Sequence, residues 1–89
     1  MVTKEEVVAK ITRLLATKYS GDLHEMFVYY SPIGPMSASQ LITVLQDAGI
    51  GGPFTHGTIA MRIIGILDTD GDGRMSEEEL LEAIKENNP

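Results

Sequence analysis

The chain has 89 residues, enough for one small domain with one modest core. A hydrophobic fraction of 43% fits a folded chain rather than a disordered one. The absence of Cys excludes disulfides and thiol catalysis, and no apolar run approaches the roughly 20 residues of a membrane helix. The net charge of -6 is unevenly placed. Residues 1–67 carry five acids and five bases, whereas residues 68–89 carry eight acids against Arg74 and Lys85. Acid concentrated at one end argues against nucleic acid and anionic membrane as partners, and favours cations and basic peptides. Met1-Val2-Thr3-Lys4-Glu5 matches neither a signal peptide nor a myristoylation site, so a cytoplasmic protein is expected.

The first element in chain order is a helix over about Lys4 to Lys18. Thr3 and Glu6 have the spacing of a capping box, and Val7, Val8, Ile11, Leu14 and Leu15 form an apolar stripe. Ser20-Gly21-Asp22 breaks it. A second helix follows from the N-cap Asp22 to Tyr30, with Leu23, Met26, Phe27 and Tyr30 on one face. Pro32 and Pro35 force a loop. A third helix starts at a Ser37 or Ser39 cap, uses Leu41, Ile42, Val44, Leu45 and Ala48, and stops at Gly49. Residues 51–53 form a linker. The fourth helix begins near Thr55 or Gly57 and runs to Leu67, with Ala60, Ile63, Ile64 and Leu67 as its apolar face. A fifth begins near Ser76, uses Leu80, Ala83 and Ile84, and frays before Asn87-Asn88-Pro89. The fold class is therefore all-α, with short strand pairing expected only between the loops at Met36 and Met75.

Between the last two helices lies Asp68-Thr69-Asp70-Gly71-Asp72-Gly73-Arg74-Met75-Ser76-Glu77-Glu78-Glu79. Asp68, Asp70 and Asp72 alternate, so a curling backbone can aim three carboxylates at one point. Gly73 stands where the loop must turn sharply. Arg74 would contribute its backbone carbonyl, Ser76 can hold a bridging water, and Glu79 can clamp an ion with both oxygens. About seven oxygen donors suit Ca²⁺ better than Mg²⁺.

This spacing resembles the EF-hand calcium loop, flanked by two helices as that unit requires. Met36-Ser37-Ala38-Ser39-Gln40-Leu41 also aligns under Met75-Ser76-Glu77-Glu78-Glu79-Leu80 at an offset of 39 residues, with Gly34 under Gly73. The pair is similar to one lobe of the calmodulin and light-chain family, over about residues 20–86. The resemblance implies a single domain over 1–89. It comprises an extra N-terminal helix (1–20), a degenerate EF-hand (21–50), the linker (51–53) and a complete EF-hand (54–89). It also implies that the two hands pair at Met36 and Met75. Counted back from Gln40, Tyr29, Ser31 and Ile33 replace the aspartates. The apolar face ending at Tyr30 instead makes that loop two residues short. Either way it lacks a carboxylate between Glu25 and Asp47, so one Ca²⁺ per chain is expected, at Asp68, Asp70, Asp72, Arg74, Ser76 and Glu79.

The expected function is a calcium-responsive interaction module that engages an amphipathic or basic helix of a protein target. The alternative is a calcium-stabilised structural or adaptor lobe that binds its partner helix with or without the ion. Small dimeric calcium proteins with a variant first loop are a more distant resemblance, which makes dimerisation a further expectation. No enzyme is expected, because no G-x-S-x-G, H-E-x-x-H or phosphate loop is present. His24 and His56 read as isolated surface or capping residues. Met36 and Met75 read as core, while Met26 and Met61 could line either a core or a target groove. The first helix could be a partner-mimicking lid or a fifth packing helix.

Overall fold

The computed structural model describes residues 3–52, 55–68 and 71–87. It contains α1 (Lys4–Lys18), α2 (Leu23–Tyr30), α3 (Ala38–Asp47), α4 (His56–Leu67) and α5 (Glu77–Asn87). Four of the helices begin where side chains accept the first free amides, whereas Thr55 at the start of α4 makes no such bond. Thr3 accepts from the Glu6 amide at 3.2 Å, and Asp22 accepts from the Glu25 amide at 3.0 Å. Ser37 and Gln40 form a reciprocal capping box on α3. Ser76 and Glu79 repeat that arrangement at α5. Between α1 and α2, Ser20 and Gly21 both take positive φ, and the Gly21 amide reaches back to the Leu15 carbonyl at 3.0 Å. This closes the helix through left-handed residues.

The stop of α2 is set by Pro32, which lacks an amide to continue the ladder. Ser31 is already the C-cap, and its buried hydroxyl donates to the Gly34 carbonyl at 2.9 Å. Before α4, Gly51 takes a φ of +70°, and a side chain there would also come within 2.8 Å of Thr55 Oγ1 and 2.9 Å of Ile59 Cδ1, so conformation and space both favour Gly. Pro53 of the linker lies outside the described residues. At the far end α5 extends to Asn87, one residue past the expected fraying point, where the Asn87 side-chain amide donates to the Glu5 carbonyl.

The apolar faces meet in one core. Helix α3 packs most extensively on α4; α1 lies on α5 and α3; α2 lies on α3 and α5. Val7, Val8, Ile11, Met26, Met36, Leu41, Leu45, Met75 and Leu80 have almost no exposed surface. Each such large side chain contributes about 1.5–3 kcal/mol by leaving water. Met26 is therefore core, whereas Met61 is 65% exposed on the outer face of α4.

Among the described residues the only extended pairing is an antiparallel bridge between Met36 and Met75. Each amide donates to the other's carbonyl, at 2.7 and 2.9 Å. The bridge joins the ends of the two interhelical loops and buries both Met side chains at 0% exposure. It holds the acidic loop against the rest of the fold.

Candidate metal centre

The acidic loop begins at the end of α4. Asp68 is its C-cap, with the Asp68 amide still bonded to the Ile64 carbonyl. The Asp68 carboxylate is then the hub of the turn. Oδ1 accepts from the amides of Gly71 at 2.9 Å and Asp72 at 3.2 Å, and Oδ2 accepts from the Gly73 amide at 2.6 Å. Three successive amides can face one carboxylate only if the backbone curls tightly. Gly71 and Gly73 take φ of +76° and +75°, a region that costs other residues roughly 1–2 kcal/mol. Nothing lies within 4 Å of a Cβ built on Gly73, so the requirement there is conformational and not one of space.

Asp72 is exposed and accepts from the Arg74 amide at 2.9 Å. The Arg74 guanidinium, the one base in the loop, reaches across to the Pro35 carbonyl at 3.5 Å. Met75 then enters the bridge, and Ser76 caps α5. Glu79 Oε1 accepts from the Ser76 amide at 2.8 Å, while Ser76 Oγ accepts from the Glu79 amide at 3.1 Å. The expected clamp is thus engaged with its own helix start. Asp70, the middle carboxylate of the expected set, lies outside the described residues. Among the described residues, no three acidic or histidine side chains converge as a cation cage.

The donor chemistry nevertheless fits a hard divalent cation. Every available donor is an oxygen, and each carboxylate oxygen can accept from more than one group. Six acids and one base within twelve residues give a local charge of about -5. Comparison of the chain with family models, curated proteins and solved structures gave no match.

The other loop offers a contrast within the same molecule. It runs from the Ser31 cap of α2 to the Ser37 cap of α3, against Asp68 to Ser76 in the acidic loop. It is therefore two residues shorter, and Tyr29 belongs to α2 instead of the loop. Gly34 sits at φ +72°, and Gln40 makes the same capping box as Glu79 without the charge.

Polar links between distant parts of the chain escaped the sequence reading. His24 Nδ1 meets Glu77 Oε1 at 2.8 Å, tying the start of α2 to the start of α5. The hydrogen bond to Glu77, reinforced by its charge, raises the His24 pKa above the ordinary 6.5. The Tyr30 hydroxyl donates to Asp47, and Lys18 stands 3.9 Å from the same carboxylate, so Asp47 gathers α1, α2 and α3. Burial, then this hydrogen bond, pushes the Tyr30 phenol well above its usual range. Tyr19, Tyr29 and Tyr30 also cluster with ring centroids 5.0 to 6.1 Å apart, Tyr30 edge-on to both others and Tyr19 tilted against Tyr29. Partners 17 and 53 residues apart leave no local pattern that could announce them.

Proposed function

We propose that the chain is a paired EF-hand lobe of the calmodulin and light-chain type, with a degenerate first hand. It binds one Ca²⁺ at residues 68–79 and acts as a calcium-responsive interaction module. Asp68, Asp70 and Asp72 would supply side-chain oxygens, Arg74 its carbonyl, Ser76 a water-bridged donor and Glu79 the clamp. The bound ion would supply positive charge and would take part in no reaction. The observation that carries the reading is the Asp68 carboxylate collecting the amides of Gly71, Asp72 and Gly73. That turn folds the chain around an anionic centre.

Glu79 then has two demands on one carboxylate. It caps α5 through the Ser76 amide, and an ion would draw it into the loop. Moving that side chain moves the first turn of α5, which is how occupancy would reach the packing surfaces of α5.

The alternative is an adaptor lobe whose surface does not change with calcium. It is favoured by the closed core, in which Met36 and Met75 have no exposed surface. Calorimetric titration with Ca²⁺ tests the first reading; one binding step per chain is expected, and two comparable steps would refute it. A hydrophobic dye separates the two readings. Dye fluorescence that rises on calcium addition supports the responsive module, and an unchanged signal supports the adaptor.

A further inference from the structure

Helix α1 has no counterpart in the 39-residue repeat, so a surface built partly from it belongs to this chain and not to a paired-hand lobe as such. One such surface is a cavity of about 300 Å³ between α1, the linker and the first half of α4. Val7 and Ile63, both almost fully buried, form its floor, and the half-buried Ile59 stands beside them. Gly51 contributes bare backbone, since a Cβ there would lie 2.9 Å from Ile59 Cδ1. The Thr55 hydroxyl is spent on Gly52, accepting from its amide at 2.8 Å and donating to its carbonyl at 3.1 Å. No acidic side chain is among the described residues that line this cavity, whereas the cleft beside α5 is lined by Glu78, Glu79, Glu82 and Glu86. The exception to the apolar wall is Arg62. It is exposed, and among the described residues it stands in no ion pair. Arg62 precedes Asp68 by six residues, about 9 Å of helical rise, and helical side chains lean toward the N-terminus, here away from the acidic loop. At physiological ionic strength, where the screening length is about 8 Å, the loop's charge reaches Arg62 only weakly.

We infer that this cavity binds a small amphiphilic carboxylate, its alkyl chain against Val7, Ile59 and Ile63 and its head on the Arg62 guanidinium. The lining specifies the ligand. An apolar wall with a single charged group at its edge is the usual form of a small-molecule site, and about 300 Å³ lies at the small end of the range for such sites. Each methylene that leaves water for such a wall raises affinity roughly fourfold. A planar guanidinium meets a carboxylate through two parallel hydrogen bonds, which fixes the head and selects an anion over an alcohol or an amine. The ligand touches α1 and α4 together and leaves every helix in its place. The inference goes beyond the calcium reading and does not depend on it.

The test titrates octanoate into the whole chain, methyl-labelled at Val, Leu and Ile, and follows it by NMR in chelator, so that its result is separate from that of the calcium titration. Shifts are expected at the methyls of Val7, Ile59 and Ile63, saturating with a Kd of about 1 mM or below. The methyls of Ile33, exposed on the first loop, should not move. Because the chain carries a net charge of -6, non-specific attraction would favour a cation. Octylammonium and octanol should nevertheless bind at least about tenfold more weakly than octanoate, since each lacks the charged hydrogen-bond acceptor. Butyrate, four methylenes shorter, should bind on the order of a hundredfold more weakly, a comparison that needs no variant. Arg62→Gln should weaken octanoate about tenfold and leave octanol unchanged. Thr58→Phe, at an exposed position on the cavity wall, should block octanoate and octanol alike. Far-UV circular dichroism checks that both variants are folded. Equal affinity for octanoate, octanol and octylammonium, or shifts led by Ile33, would show non-specific adhesion and overturn the inference. Octanoate binding that survives Arg62→Gln unchanged would overturn it too, as would the absence of shifts at about 10 mM octanoate. Binding that appears only in a Phe54→Ala chain would assign the cavity to the chain's own side chain, and would equally overturn the inference.

Discussion

The two interhelical loops are built on one plan and differ in what fills it. Both place a glycine with positive φ two residues before the bridging Met, and both end in a serine cap closed by the residue three positions on. In the acidic loop that residue is Glu79, and the turn is organised by Asp68. In the other it is Gln40, and the turn is organised by a hydroxyl, Ser31 to Gly34. Backbone bridge, turn and cap are thus kept without any carboxylate. The architecture needs the glycine and the cap; only the acidic loop adds carboxylates between its helices.

Exchange of the closing residue breaks the comparison most sharply. Glu79→Gln makes the acidic loop end as the other does, and should lower Ca²⁺ affinity by about a hundredfold or more, since affinity follows ligand charge. Calorimetry measures it, and unchanged affinity would remove Glu79 from the site. Gln40→Glu should create no second binding step, because that loop is two residues short and has no aspartate.

Next in size is the effect of the ion on stability. At a hundredfold excess over the dissociation constant, mass action adds about 2.7 kcal/mol. For a domain this small, about 1 kcal/mol moves Tm by roughly 4–8 °C, so saturating calcium should raise Tm by about 10 °C or more. Magnesium should do much less, since it sheds water reluctantly and demands octahedral geometry. Thermal melts in chelator, calcium and magnesium at matched ionic strength compare the three; coincident curves would show that the loop holds no ion.

Helix bounds were legible where a cap and an apolar stripe agree. Thr3 with the stripe from Val7, and Asp22 with Leu23 to Tyr30, give α1 and α2 at the observed limits. The length of the first loop was ambiguous because Gln40 and Tyr30 imply different counts. The ladder of α2, which continues to Tyr30 and caps at Ser31, selects the shorter loop. Spacing put forward candidate donors in the acidic loop, but it was silent on Glu79 facing its own helix, because a cap and a clamp require the same residue type. His24 looked isolated because Glu77 is 53 residues away.

The glycine pair sharpens the comparison at smaller scale. Gly34→Ala and Gly73→Ala each force Ala into a left-handed conformation, and each should cost roughly 1–2 kcal/mol of stability in urea unfolding. Only Gly73→Ala should also weaken calcium binding. Equal effects on the ion would mean that the two loops act as one site.

The smallest expected effect concerns Glu77, whose counterpart in the repeat is Ala38. The His24 pKa is raised in the folded chain, so the contribution of this link is fully present below about 6.5, the unfolded value, and is lost as pH rises through the folded one. His24 is exposed, and the contribution is correspondingly small. NMR titration should place the His24 midpoint above 6.5, and Glu77→Gln should bring it back down. A midpoint that ignores the substitution would assign the shift to another source.

Lys4 meets Glu86, and the Asn87 amide meets the Glu5 carbonyl across 82 positions of sequence. Residues 4–5 and 86–87 therefore lie side by side, which is the geometry that circular permutation requires. A short flexible linker across that junction, with the chain opened at Ser20–Gly21, would yield the order α2, α3, α4, α5, α1 with every helix in place. The helix outside the repeat can thus follow the two halves as readily as precede them. Its place in the fold is set by the groove it fills and the charges it meets, not by its rank along the chain.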